Sequence, residues 1–169
     1  MDQTRTFPLL MLVGMYSMTG NVGKAEAVVR RLVRLFPDDA DVQSTRAEQF
    51  VRENKPSEAI ATYDKALSLV KPGQKKPALY IGKATVHIMQ GQFDEAETFL
   101  NKAIEVDPKF DQSYELLYRS LMSRGDLQKA LDTLDREVNV FKQFADQAKL
   151  NEIIAAKYVR RSLFDGPKS

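Results

Sequence analysis

The chain has 169 residues, of which 43% are hydrophobic and 28% charged, so it can bury a continuous core and falls outside the disordered range. Its formal net charge of +2, with basic and acidic residues interspersed, creates no electrostatic demand for nucleic acid or an anionic membrane. It has no cysteine, which removes disulfides, thiol nucleophiles and thiolate metal sites together, and leaves the compartment open between cytoplasm and periplasm.

The opening MDQTR is followed by FPLLMLVGMYSM, an apolar run that superficially matches the core of a secretory signal. The residues before it carry no net side-chain charge and no small-residue cleavage site follows, so it reads instead as a helix. That helix is apolar nearly all round, through Phe7, Leu9, Leu10, Met11, Leu12, Val13, Met15, Tyr16 and Met18. Such a helix is normally covered on every side. Upstream repeats, a second copy of the chain or a partner protein are the three covers available, the first two preferred, and Phe7, Leu10, Met11 and Met18 are the candidate self-association residues of a homodimer. A second helix from Ala25 to Phe36 buries Ala25, Val28, Val29, Leu32 and Leu35 and is stopped by Pro37.

The same pair of helices recurs along the chain. A weakly apolar helix with Val42, Ala47, Phe50 and Val51 precedes one opened by Pro56, and the loop from Lys71 to Pro77 then breaks the array. From Pro77 to Phe110 the pattern is clearest: Leu79, Tyr80, Ala84, His87 and Ile88 fall at helical spacing, Gly91 interrupts, and Phe93, Ala96, Leu100, Ala103 and Ile104 follow before Pro108. A fourth hairpin runs from Asp111 to about Phe144. Beyond it, from 145 to 164, Leu150, Ile153, Ile154, Tyr158 and Phe164 form an apolar stripe expected of a capping helix, unless it runs on from the helix before.

The small residues Ala25, Ala59, Ala96 and Ala130, each with a large side chain four positions later, lie 34, 37 and 34 residues apart. Gly20, Asn54, Gly91 and Gly125 mark the turns in step, and Pro37, Pro72 and Pro108 end the second helices. These residues resemble the tetratricopeptide repeat (TPR) family over residues 6 to 144. The resemblance implies an all-α, right-handed α-solenoid of helix-turn-helix hairpins in one domain, with repeats at about 6–39, 40–73, 77–110 and 111–144 and a C-terminal capping helix. The end repeats depart from the pattern, with Val13 and Tyr118 at the small position of the first helix and Glu137 where alanine is usual.

Catalytic chemistry finds little support. His87 is the single histidine and has no triad or zinc partners nearby in sequence, so it reads as a packed side chain. Gly20-Asn21-Val22-Gly23-Lys24 fails as a phosphate loop, because Met18 stands at the first glycine and Ala25 replaces the magnesium-binding hydroxyl. No enzyme, cofactor or metal is expected. The three lysines of the 71–77 loop read as solvated.

What the resemblance implies instead is a partner-binding groove lined by the first helices. Its candidate residues are Ser44, Glu48 and Arg52 in repeat two, Ile81, Gly82, Thr85, Ile88 and Met89 in repeat three, and Glu115, Arg119 and Met122 in repeat four. Methionine adapts to irregular ligands and Gly82 is expected to let a ligand backbone approach. The pairs at the positions where some family members clamp a chaperone's C-terminal carboxylate are Leu10/Gly14, Ser44/Glu48, Ile81/Thr85 and Glu115/Arg119, without the Lys and Asn pattern required. The expected function is a non-catalytic scaffold binding a protein or peptide, as a module of a bacterial assembly for secretion, envelope construction or polysaccharide export. A secretion-type chaperone shielding an apolar client segment is the alternative. An RNA-binding repeat protein is disfavoured by Glu48 and Glu115 in the groove, and no membrane insertion is expected.

Overall fold

The computed structural model describes residues 3–143, 150–155 and 159. Eight α-helices lie among them: α1 (Gln3–Met18), α2 (Val22–Leu35), α3 (Ala40–Arg52), α4 (Pro56–Ser68), α5 (Pro77–Met89), α6 (Phe93–Val106), α7 (Asp111–Arg124) and α8 (Leu127–Gln143). They pair as four consecutive hairpins, the all-α solenoid expected from the repeat spacing.

Local chemistry sets the ends. Asp39 caps α3 by accepting from the backbone N–H groups of Asp41 and Val42, at 2.9 and 3.1 Å. Proline occupies the first turns of α4 and α5, where its missing N–H is no loss. At the turn within each hairpin the chain enters the left-handed region, with φ of 71° at Gly20, 56° at Asn54, 73° at Gly91 and 89° at Gly125. Asparagine tolerates this conformation better than other residues with a Cβ, which is how Asn54 holds a glycine position. Asn54→Ala should cost about 1 kcal/mol in urea unfolding, whereas Asn54→Gly should leave stability equal or slightly higher.

Small residues at the crossings let each hairpin close. Ala47 and Ala59 share one buried cluster and Ala84 and Ala96 another, all four with no exposed surface. First helices touch along the array, α1 to α3, α3 to α5 and α5 to α7, whereas the described second helices make no such contacts with one another. The array therefore curves with α1, α3, α5 and α7 on its inner side. The departures at the ends are accommodated: Val13 and Tyr118 are buried at 5% and 7% exposure, and Glu137 is buried in α8. Burial is also the main reason the Tyr114 hydroxyl titrates above the usual phenol range, with Arg136 pulling it down and Glu137 pushing it up. That hydroxyl donates to the Pro108 carbonyl at 3.1 Å.

Polar side chains tie neighbouring repeats together. Arg124, at the α7–α8 turn, pairs with Asp94, Glu97 and Asp126, the Glu97 contact being 2.9 Å. Lys83 of α5 is nearly buried, reaches Asp64 of α4 at 2.6 Å and lies 4.3 Å from the centre of the Phe99 ring. The 71–77 loop differs from the expectation of fully solvated lysines. Lys76 pairs with Asp41 at 2.6 Å and Lys75 with Asp107 at 3.7 Å, so two of the three bridge to adjacent repeats.

Past α8, residues 150–155 are helical, and Leu150 and Ile153 share a buried cluster with Val138 and Phe141. Leu150 and Ile153 thus pack against the end of α8. The remainder of the expected capping helix, including Tyr158 and Phe164, lies outside the described residues.

Candidate functional site

The inner faces of α3, α5 and α7 line an open cavity of about 370 Å³. Its lining is Glu48, Val51 and Arg52 from α3, Ala78, Ile81, Gly82 and Thr85 from α5, Gln112 from α7 and Tyr63 from α4. Glu48, Arg52, Ile81, Gly82 and Thr85 are thus brought together from the expected set. Ser44, Ile88, Met89, Glu115, Arg119 and Met122 lie outside this cavity.

Their placements have physical causes. Ile88 and Met122 are half-buried against the cluster that joins repeats three and four, and Ile81 is itself a member of it at 7% exposure. The packing of adjacent first helices consumes much of the apolar surface that helical spacing assigns to a groove. Met89 is 60% exposed at the end of α5. Of the residues assigned to self-association, Phe7, Met11 and Met18 are exposed, while Leu10 is half-buried against the Val13 cluster.

Gly82 has a different role from the one expected. A Cβ built there would lie 2.4 Å from Tyr63 Cζ and 2.5 Å from its Cε1 and Oη. The space left by the glycine is therefore filled from within, by a tyrosine from α4, rather than held open for a ligand backbone. The signal for Tyr63 was in the sequence. It occupies the large position that is Val29, Leu100 and Leu134 in the other repeats, and only its ring is long enough to pass between the first helices.

The cavity joins apolar walls from Val51, Ala78 and Ile81 to a polar rim. The Thr85 hydroxyl is committed to the Ile81 carbonyl at 2.9 Å. Burial pushes the Glu48 carboxyl above the usual carboxylate range, with the Arg52 guanidinium opposing. Burial also drives the Tyr63 hydroxyl well above the phenol range, Glu48 adding to the rise and Arg52 reducing it. Because the folded form of Glu48 holds its proton more tightly than the unfolded one, its contribution is most favourable below the unfolded value of 4.5 and is lost as pH rises through the folded value. Glu48→Gln should therefore raise the melting temperature at pH 7, with the gain vanishing near pH 4.

His87 stands outside this site. Its ring stacks on Phe99 with centroids 5.3 Å apart, and Nδ1–H donates to Gln92 Oε1 at 2.7 Å. A second cavity of about 260 Å³ lies between α6, α7 and α8, where Glu97, Lys129, Asn101 and Arg136 already satisfy one another at 3.1 Å and 2.7 Å. Among the described residues no helix is long and apolar enough to cross a membrane.

Comparison with known proteins agrees with this geometry. Two tetratricopeptide repeat profiles match residues 19–78 and 50–121. The mitochondrial import receptor subunit TOM70 of Mus musculus is 25% identical over 130 residues, covering 76% of this chain and 21% of the receptor. The chain thus spans about a fifth of that relative's length. Among solved structures, PilW, a type IV pilus biogenesis factor, superposes with a TM-score of 0.72 at 21% identity, covering 99% of this chain and 81% of PilW. The first TPR domain of Spaghetti (RPAP3), bound to the HSP90 peptide SRMEEVD, superposes with a TM-score of 0.53 at 20% identity, covering 70% and 94%. Repeat spacing, hairpin geometry and profile matches agree, and the chain belongs to the tetratricopeptide repeat family.

Proposed function

We propose that this chain is a non-catalytic interaction scaffold that holds a peptide segment of another protein in the groove between α3, α5 and α7. The observation that carries this reading is the cavity itself, whose apolar walls and polar rim come from three successive first helices. Its volume suits one large apolar side chain, and Arg52, Glu48 and Gln112 stand where they can meet the backbone on either side of that anchor. Glu48 and Arg52 offset each other's charge, so the favoured peptide is neutral at its anchor.

The bound peptide of the RPAP3 domain supports peptide capture as a use of such an array. It does not extend to a chaperone tail here, because Ser44/Glu48, Ile81/Thr85 and Glu115/Arg119 supply no lysine and asparagine for a terminal carboxylate. A role within a bacterial assembly is the narrower form of the proposal and rests on family likeness alone. The sequence relative reported above is a mouse import receptor, and the groove reading stands without the bacterial context.

Selection of a phage-displayed dodecapeptide library on the immobilised chain tests the proposal. Enriched peptides should share one aromatic or large aliphatic residue, and should lose at least about tenfold in affinity against Ala78→Arg, which fills the cavity from an exposed position while the circular dichroism stays unchanged. Peptides that bind the filled variant equally well would overturn the reading.

A further inference from the structure

We infer that the side chain this groove is built to take is a tyrosine, recognised by the hydroxyl of Tyr63 at the cavity wall. A tyrosine anchor presupposes the peptide groove proposed above and narrows what enters it. The repeats supply an internal standard. Where repeats three and four meet, the residue four after the small alanine of the second helix is Leu100, the residue two before the small position of the next first helix is Leu116, and both belong to one apolar cluster. Where repeats two and three meet, the same two positions are Tyr63 and Gly82. The bulk has moved from the first helix to the second, and with it comes a polar tip that a pair of leucines does not bring.

That tip is at the site. A Cβ on Gly82 would lie 2.5 Å from Tyr63 Oη, so the hydroxyl end of the ring rests on the Gly82 backbone, and both residues line the cavity. Tyr63 is only 2% exposed, yet its hydroxyl has no hydrogen-bond partner among the described residues, whereas the Tyr114 hydroxyl donates to the Pro108 carbonyl at 3.1 Å. Unlike the Ser113 hydroxyl, which is sealed in the core without a partner, it keeps its small open surface toward the cavity. Burial holds it well above the phenol range, so it stays protonated and offers its O–H. Whatever displaces solvent from the cavity must pair with that group or leave it unpaired at a cost.

Chemistry then selects the occupant. Lysine and arginine carry no acceptor for the hydroxyl. A carboxylate carries one, but would give up its hydration among Val51, Ala78 and Ile81 and stand beside Glu48. Serine, threonine, asparagine and glutamine accept, but leave much of a cavity of about 370 Å³ unfilled. Leucine and phenylalanine fill it and leave the hydroxyl unpaired, and tryptophan fills it with a donor alone. A tyrosine covers the apolar walls with its ring, accepts from Tyr63, and has its own proton to give, for which Glu48 at the same cavity is an acceptor. A site built to hydrogen-bond a hydroxyl rejects the analogue that lacks it, because its own polar group is then left without a partner.

Selecting the dodecapeptide library on the chain and then testing the winners against Ala78→Arg separates the two levels. Peptides that depend on the cavity should carry tyrosine at the anchor, and a copy of a selected peptide with phenylalanine there should bind at least about tenfold more weakly. Against Tyr63→Phe, which keeps the ring in the notch at Gly82, that ratio should fall to about twofold or less. The Tyr63→Phe chain itself should unfold at the same urea concentration as the parent or a higher one, since the hydroxyl it loses has no partner within the protein. Cavity-dependent peptides anchored by leucine, phenylalanine or tryptophan, a tyrosine preference that survives Tyr63→Phe, or a clear fall in the urea midpoint of that variant would overturn the inference and leave the groove standing. Peptides indifferent to Ala78→Arg would overturn both.

Discussion

Gly82→Ala is expected to destabilise the protein by about 1–3 kcal/mol, against the usual sign of this change inside a helix. Away from contacts, alanine in a helix interior is favoured over glycine by about 1 kcal/mol. Here the new Cβ would lie 2.4 Å from the Tyr63 ring, and that ring is 2% exposed, held among Ala47, Ala59, Ala66, Leu79 and Val86. The ring packs in that cluster on one side and borders the cavity on the other, so making room for the methyl draws it out of its packing, and this loss outweighs propensity. The decisive comparison is the double variant. Leucine fills the position of Tyr63 in repeats three and four, where Leu100 and Leu134 are buried. Tyr63→Leu alone should cost on the order of 2 kcal/mol through the void it leaves. Combined with Gly82→Ala it should cost clearly less than the sum, because the methyl then enters space the ring has vacated. Urea unfolding of the four proteins reads the coupling, and a stabilising Gly82→Ala single variant would show that the ring and the glycine are not in contact.

Leu100→Ala should cost about 3–5 kcal/mol, the largest effect expected of any single truncation in the third repeat. Leu100 has no exposed surface and shares a cluster with Ala84, Ala96 and Ile104 of its own repeat and with Tyr114, Leu117 and Leu134 of the next. The void would loosen both the hairpin and its junction with repeat four, and in a solenoid that junction is what carries stability from one unit to its neighbour. Against a typical total of about 5–15 kcal/mol the loss is severe, and the melting temperature should fall by roughly 10 °C or more. Met89→Ala, in the same hairpin but exposed, should stay within about 0.5 kcal/mol.

The hairpins, their turns and their closest crossings were legible because each rests on one residue's local chemistry. Only glycine or asparagine holds the positive φ at residues 20, 54, 91 and 125, and only a small residue fits where Ala84 meets Ala96. The groove was only half legible. Helical spacing tells which side of α5 a residue occupies, but a first helix touches its own partner, the hairpin before and the hairpin after. Ile88 falls on the groove side by spacing and is taken up by repeat four, and Ile81 is mostly buried there while still forming one wall of the cavity. The Tyr63–Gly82 contact and the Lys83–Asp64 pair join residues 19 positions apart on different helices, and nothing in either local pattern calls for the other.

The exposed stripe of α1 shows the same limit from the other direction. Its apolar character was plain in FPLLMLVGMYSM, but which side chains face outward is decided by α2 and α3, which bury Val13 and half-bury Leu9 and Leu10 while leaving Met11 and Met15 open.

The most direct test of the groove account is an amide ¹H–¹⁵N shift map of the labelled chain titrated with a peptide recovered from the library. The account predicts perturbations concentrated at Val51, Arg52, Ala78, Ile81, Thr85 and Gln112, the walls and rim of the cavity between α3, α5 and α7. Perturbations centred instead on Asn101, Lys129 and Arg136, across the α6–α8 face, would contradict it.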